Sequence, residues 1–147
     1  MKKIILAFCS MMLIQTILAQ TSQEPQIYAT KKVKRGKVLK YELVNNSKRS
    51  IYLFDPMQIK IEKNKNGTWM NLETPYCPCG RACPAPPDIK EVIPNEKVTF
   101  TWNLEESLCE NNEEKKRRVK KGLYRVVFYY GENQQERKKI MRIFKVG

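Results

Sequence analysis

Residues 97–104 read KVTFTWNL. Val98, Phe100, Trp102 and Leu104 fall on one side of an extended chain, and Lys97, Thr99, Thr101 and Asn103 on the other. This period of two marks a strand with one face buried. The same alternation extends outward in both directions. Upstream, VLKYELV (38–44) groups Leu39, Tyr41 and Leu43. IYLF follows a turn-rich break at 45–50, and QIKIEK and TWMNL flank KNKNG, whose Asn66-Gly67 is a strong hairpin signal. Downstream, LYRVVFYY (123–130) and KKIMRIFKV (138–146) form a late pair across GENQQER, with Tyr124, Val126 and Phe128 on the core-facing side. Residues 27–33 carry the weakest strand pattern.

About seven or eight short strands with no helical pattern between them predict an all-β fold, a single antiparallel sandwich. The best helical candidate is NLEESLCE (103–110), where Asn103 suits a cap and Glu105 and Glu106 the first turn. It would make one or two turns within a loop.

The N-terminus sets the expected compartment. Lys2 and Lys3 precede an apolar run, Ile4 to Leu18, and Ala19 leads into polar TSQEPQ. This is the layout of a bacterial-type secretory signal peptide, shorter than a membrane span. Residues 1–19 are read as the leader, 20–37 as a polar, basic segment with a possible first strand, and 38–147 as the sandwich. Periplasmic or secreted localisation after cleavage follows. Removing the leader takes Lys2 and Lys3 from the 28 basic residues, leaving 26 against 15 acidic ones and a formal charge of +11.

Export also frames YCPCGRACP (76–84). Cys77, Cys79, Cys83 and Cys109 remain after Cys9 leaves with the leader, and an even number in an exported chain favours disulfides. Cys77–Cys79 would force a strained ring. The pairings 77–83 with 79–109, or 77–109 with 79–83, remain open, and either staples the proline loop to the segment beyond Trp102. A thiolate site for copper or zinc is the competing reading. However, only the Cys79–Cys83 spacing matches a zinc knuckle, and no cofactor motif occurs. A redox C-x-x-C at a helix start is absent.

Three basic clusters stand out: 31–40, 115–121 and 137–145. The run at 113–121 reads as a mobile loop between strands. Tyr76 and Arg81 on the stapled loop, with Lys115, Lys116, Arg117 and Arg118 beside it, are the candidate partner-binding residues. The charge suits a protein or an anionic envelope surface, with no nucleic-acid motif and no membrane-spanning segment.

Ile93-Pro94-Asn95-Glu96 followed by Phe100 and Trp102 resembles the strand entry of bacterial immunoglobulin-like sandwiches. Gly122-Leu123-Tyr124-Arg125-Val126 is similar to the G-x-Y-x-V that opens one of their late strands. The layout, from about Val38 onward, is shared with the proteinase-inhibitor type of these domains. It departs from the pattern in carrying Asn95 for glycine and in adding the cysteine loop. The resemblance implies an immunoglobulin-like fold and a broad binding role. Tyr124 is then placed to bond back to the preceding loop, as in a tyrosine corner.

With no histidine in the chain, the commonest general base is missing. The serines and paired glutamates lack a catalytic context. The expectation is therefore a monomeric, non-catalytic binding or adaptor module of the envelope, not an enzyme. A secreted protease inhibitor is the alternative and a thiolate metal-binding protein the second.

Overall fold

The computed structural model describes residues 24–56, 60–74, 77–83, 85 and 89–147. The expected leader, Tyr76, Pro75, Pro84, Pro86 and Pro87 lie outside the described residues. Twelve strands and no helix occur among those described: β1 (Gln26–Ala29), β2 (Lys32–Val33), β3 (Leu39–Val44), β4 (Ile51–Phe54), β5 (Lys60–Lys65), β6 (Thr68–Asn71), β7 (Lys90–Val92), β8 (Lys97–Trp102), β9 (Glu105–Glu110), β10 (Glu113–Arg118), β11 (Gly122–Gly131) and β12 (Lys138–Val146).

A three-stranded sheet runs β1-β3-β8. Facing it is a sheet ordered β2-β12-β11-β4-β7, to which β5 and β6 attach through β11. β11 is ten residues long and changes partner along its length. Val127 to Tyr124 pair with β5, and Tyr129 to Gly131 pair with β4. All pairings are antiparallel except β2 with β12, which matches Lys32 to Lys145 and Val33 to Val146 in parallel. The segment before Val38 thus supplies two strands, and Ile27 enters the core.

Alternation decides the interior. Leu39, Tyr41 and Leu43 of β3 are fully buried, facing Val126, Phe128 and Phe144 of the larger sheet in one apolar cluster. Aromatic rings form a seam between the layers. Tyr41 stacks on Phe100 at 5.5 Å between centroids, Phe100 meets Phe128 at 4.7 Å, and Trp102 lies 6.1 Å from Tyr124. Such pairs add to area burial because a ring's positive edge seeks a negative face.

Asn45 is fully buried at the end of β3 and completely bonded. Its amide donates to the carbonyls of Arg49 (2.8 Å) and Val92 (2.9 Å), and its Oδ1 accepts from the N–H (3.0 Å) and hydroxyl (2.7 Å) of Ser47. It ties the β3–β4 turn to β7. Asn95 bonds back to the Asn45 carbonyl from a left-handed backbone, φ 64°, the geometry expected of asparagine in place of glycine.

Two expectations need correction. NLEESLCE is not helical: Glu105–Glu110 is strand β9. The predicted mobile run 113–121 is largely strand β10, Glu113–Arg118, paired with β9 from Glu110↔Glu113 to Glu105↔Arg118. The turn between them is Asn111-Asn112, both left-handed at φ 53° and 63°. Two positive φ values match the right-handed twist of a two-residue hairpin, as Asn66 and Gly67 also show between β5 and β6. Cross-strand pairing then overrides the weak helical propensity of a six-residue segment.

Candidate functional site

The β9–β10 hairpin forms a small sheet of its own and is attached to the body at a few points. Ser107 N–H donates to the Glu73 carbonyl at 2.9 Å, and Val119 N–H to that of Leu104 at 2.9 Å. At the far end Cys79–Cys109 fixes the proline loop to β9, while Cys77–Cys83 closes the loop on itself. This selects one of the two pairings left open by the sequence. With all four sulfurs bridged, the thiolate metal reading is corrected, since a disulfide sulfur is not a thiolate ligand. Gly80, at φ +66°, lies so close to the hairpin turn that a Cβ there would sit 2.5 Å from that of Asn112.

Where the hairpin base meets the β5–β6 hairpin, a cavity of about 380 Å³ opens at the edge of the sandwich. The inward-facing positions of β5 explain its charge. Ile61 is buried in the core, and the next two residues on that face, Lys63 and Lys65, run out into the cavity. From the other side come Arg117, Arg118 and Lys120, and Met70, Leu72 and Val119 provide apolar wall. Glu106 is the acidic lining residue, and it is committed to Arg117 at 2.6 Å. Lys63, Lys65, Arg118 and Lys120 form no ion pair among the described residues.

Tyr124 lines the inner end. Its hydroxyl donates to the Lys120 carbonyl, the back-bond expected of a tyrosine corner, and Lys63 Nζ lies 5.7 Å over its ring. Burial, reinforced by the nearby Glu106 carboxylate, pushes its pKa up to about 12. Burial raises Tyr41 as well. Both phenols keep their protons in the folded chain after an unfolded tyrosine, at about pH 10, has lost its own. Stability is therefore complete below about pH 10 and falls as pH rises toward about 12. Denaturation midpoints across this range will show the decline, and Tyr124→Phe will make it shallower. An unchanged slope in that variant would refute the assignment.

The sequence-predicted residues divide. Arg117 and Arg118 line the cavity, Lys115 is held by Glu110 at 2.6 Å and Lys116 by Glu114 at 3.8 Å on the surface, and Arg81 is exposed on the stapled loop. Tyr76 falls outside the described residues. Lys63, Lys65, Lys120 and Tyr124 were not singled out as site residues. For Lys63 and Lys65 the legible signal is the change from Ile61 to lysine on a single face of β5, while Lys120 lies within the basic cluster 115–121. Among the described residues no group of three or more acidic, cysteine or histidine side chains could hold a metal ion.

No protein-family model matches the chain, and no curated protein matches it. Among solved structures, a superoxide reductase (neelaredoxin) from Ignicoccus hospitalis is similar with a TM-score of 0.39 and 19% identity, over 84% of this chain and 80% of that one. That neighbour is an enzyme. The expectation of a non-catalytic envelope adaptor, with its inhibitor alternative, is corrected on this finding, as is the expectation that the chain is not an enzyme. Both had rested on the absence of linear motifs, whereas the cavity is assembled from strands far apart in sequence. At this level the likeness carries no argument about chemistry here.

Proposed function

We propose that this chain binds a small anionic ligand with an apolar portion in the cavity between the β5–β6 and β9–β10 hairpins. One observation carries the reading: Lys63, Lys65, Arg118 and Lys120 converge on one cavity without carboxylate partners among the described residues, beside the apolar wall of Met70, Leu72 and Val119. Cations crowded together at a partly enclosed wall repel one another, and an anion relieves that repulsion while gaining charge-assisted hydrogen bonds. The volume is that of a site for a small organic molecule.

The fold is read as an immunoglobulin-like variant, supported by the Tyr124 back-bond and the Asn95 turn. The site is placed in the periplasm or outside the cell after leader removal, supported by two disulfides, which persist in oxidising compartments. No helix among the described residues is long and apolar enough to cross a membrane.

Calorimetric titration with phosphate-, sulfate- and carboxylate-bearing amphiphiles tests the reading. Binding is expected to weaken with salt and to fall at least about tenfold in Lys63→Glu/Lys120→Glu, the loss of two charge-assisted contacts. Equal binding by this variant and the native chain would overturn it.

A further inference from the structure

The opposite face of the larger sheet carries a separate signal. Its outward positions on β11 and β12 include Leu123, Met141 and Ile143, which are 41%, 43% and 46% exposed. The register makes them one patch: Ile143 lies opposite Arg125, Met141 opposite Val127, and Leu123 opposite Lys145. Trp69 of β6, half-buried, borders the patch with Arg125 at 4.4 Å over its ring. Lysines surround it. Lys139 and Lys145 point outward from β12, Lys32 stands beside Lys145 on β2, and Lys60 lies opposite Val127 on β5.

The acidic residue at outward positions of β2, β12, β11, β5 and β6 is Glu62. It is buried and bonded to Arg125, whose guanidinium also contacts the Met141 sulfur at 3.4 Å. These strands therefore present an apolar centre with a tryptophan at its border, four lysines around it and their outward carboxylate, Glu62, neutralised by Arg125. Anionic lipid headgroups complement the lysine ring, and the headgroup–acyl boundary accepts shallow Leu, Met, Ile and Trp side chains.

We propose that this outer sheet face docks peripherally on an anionic lipid bilayer, with Leu123, Met141 and Ile143 entering the interface and Lys32, Lys60, Lys139 and Lys145 pairing with headgroups. The proposal stands independently of the cavity, because the two surfaces lie on opposite sides of the same sheet. An interfacial face of this kind would hold the protein against the envelope surface.

Co-sedimentation of the purified, oxidised chain with phosphatidylglycerol/phosphatidylcholine vesicles tests it, with phosphatidylcholine vesicles as reference. Binding is expected on the anionic vesicles, with a blue shift of Trp69 emission against a constant contribution from buried Trp102. Lys139→Glu/Lys145→Glu should weaken it about thirtyfold or more, from the loss of two headgroup-facing charges. Leu123→Ser/Ile143→Ser should weaken it about tenfold through lost apolar burial. The cavity variant Lys63→Glu/Lys120→Glu should keep the blue shift of Trp69. All the substituted side chains on the docking face are exposed, and an unchanged thermal midpoint will show that the fold persists. Absence of anionic-vesicle binding at low salt would overturn the proposal, as would binding by both face variants equal to that of the native chain. So would a dimer in sedimentation velocity that Leu123→Ser/Ile143→Ser dissolves in the absence of lipid, since a second copy would then be the occupant.

Discussion

Replacing Cys79 and Cys109 together by alanine is expected to lower the unfolding free energy by about 3–4 kcal/mol, the entropy of the loop that this bridge closes in the unfolded chain. The bridge spans 30 residues, against 6 for Cys77–Cys83, so the shorter bridge contributes about 2 kcal/mol on the same chain-entropy account. The difference gives a ranking that urea denaturation can check: the Cys79/Cys109 variant should unfold at lower denaturant than the Cys77/Cys83 variant. The reverse order would refute the account. A local effect is expected as well. A two-stranded hairpin is marginal by itself, and β9–β10 is tied to the body by the backbone bonds of Ser107 and Val119, by the Trp102 indole N–H donating to the Glu105 carbonyl, and by this disulfide. Amide exchange in 105–118 should accelerate more than in β11, and anion affinity should drop because Arg117 and Arg118 reach the cavity from that hairpin.

Asn45→Ala is expected to cost about 2–4 kcal/mol, through lost hydrogen bonds and the buried groups left unsatisfied. The native amide serves the carbonyls of Arg49 and Val92 and both donors of Ser47 at once. Alanine leaves the Val92 carbonyl inside the protein with one partner fewer. Asn45→Asp separates bonding from packing. It preserves shape but turns an acceptor toward two carbonyls and places a charge in a fully buried site. Such a carboxyl has its pKa raised in the folded state, so the variant should be least stable at neutral pH and recover as pH falls and the group takes up a proton. Denaturation midpoints at neutral and mildly acidic pH decide the matter. A variant as stable as the native chain at neutral pH would show that Asn45 does not clamp the β3–β4 turn.

Strand identity was legible wherever one face is apolar. KVTFTWNL, VLKYELV and LYRVVFYY read as half-buried strands because water rejects one side of each, and that preference acts residue by residue along the chain. Asn66-Gly67 was legible for a local reason too, since few residues tolerate two left-handed positions in succession. The oxidised state of Cys77, Cys79, Cys83 and Cys109 was expected from their even number in a chain read as exported. EESLCENNEEKKRR was misread because β10 buries nothing: every residue from Glu113 to Arg118 is exposed, so no apolar alternation marks it. Its strand is written in the Asn-Asn turn and in charges that pair across the hairpin, Arg117 with Glu106 and Lys115 with Glu110.

Tertiary structure alone decided which cysteine joins which, because bridging depends on the proximity of Cα positions and not on spacing along the chain. It also decided that Lys63, Lys65, Arg118 and Lys120 share one cavity. Each is an ordinary surface cation in its own segment, and their mutual repulsion, hence their attraction for an anion, exists only once two hairpins distant in sequence are brought side by side. The sequence by itself determined the alternation that makes this chain a layered β protein. The placement of charge around its edge is a long-range property, set by which strands pair.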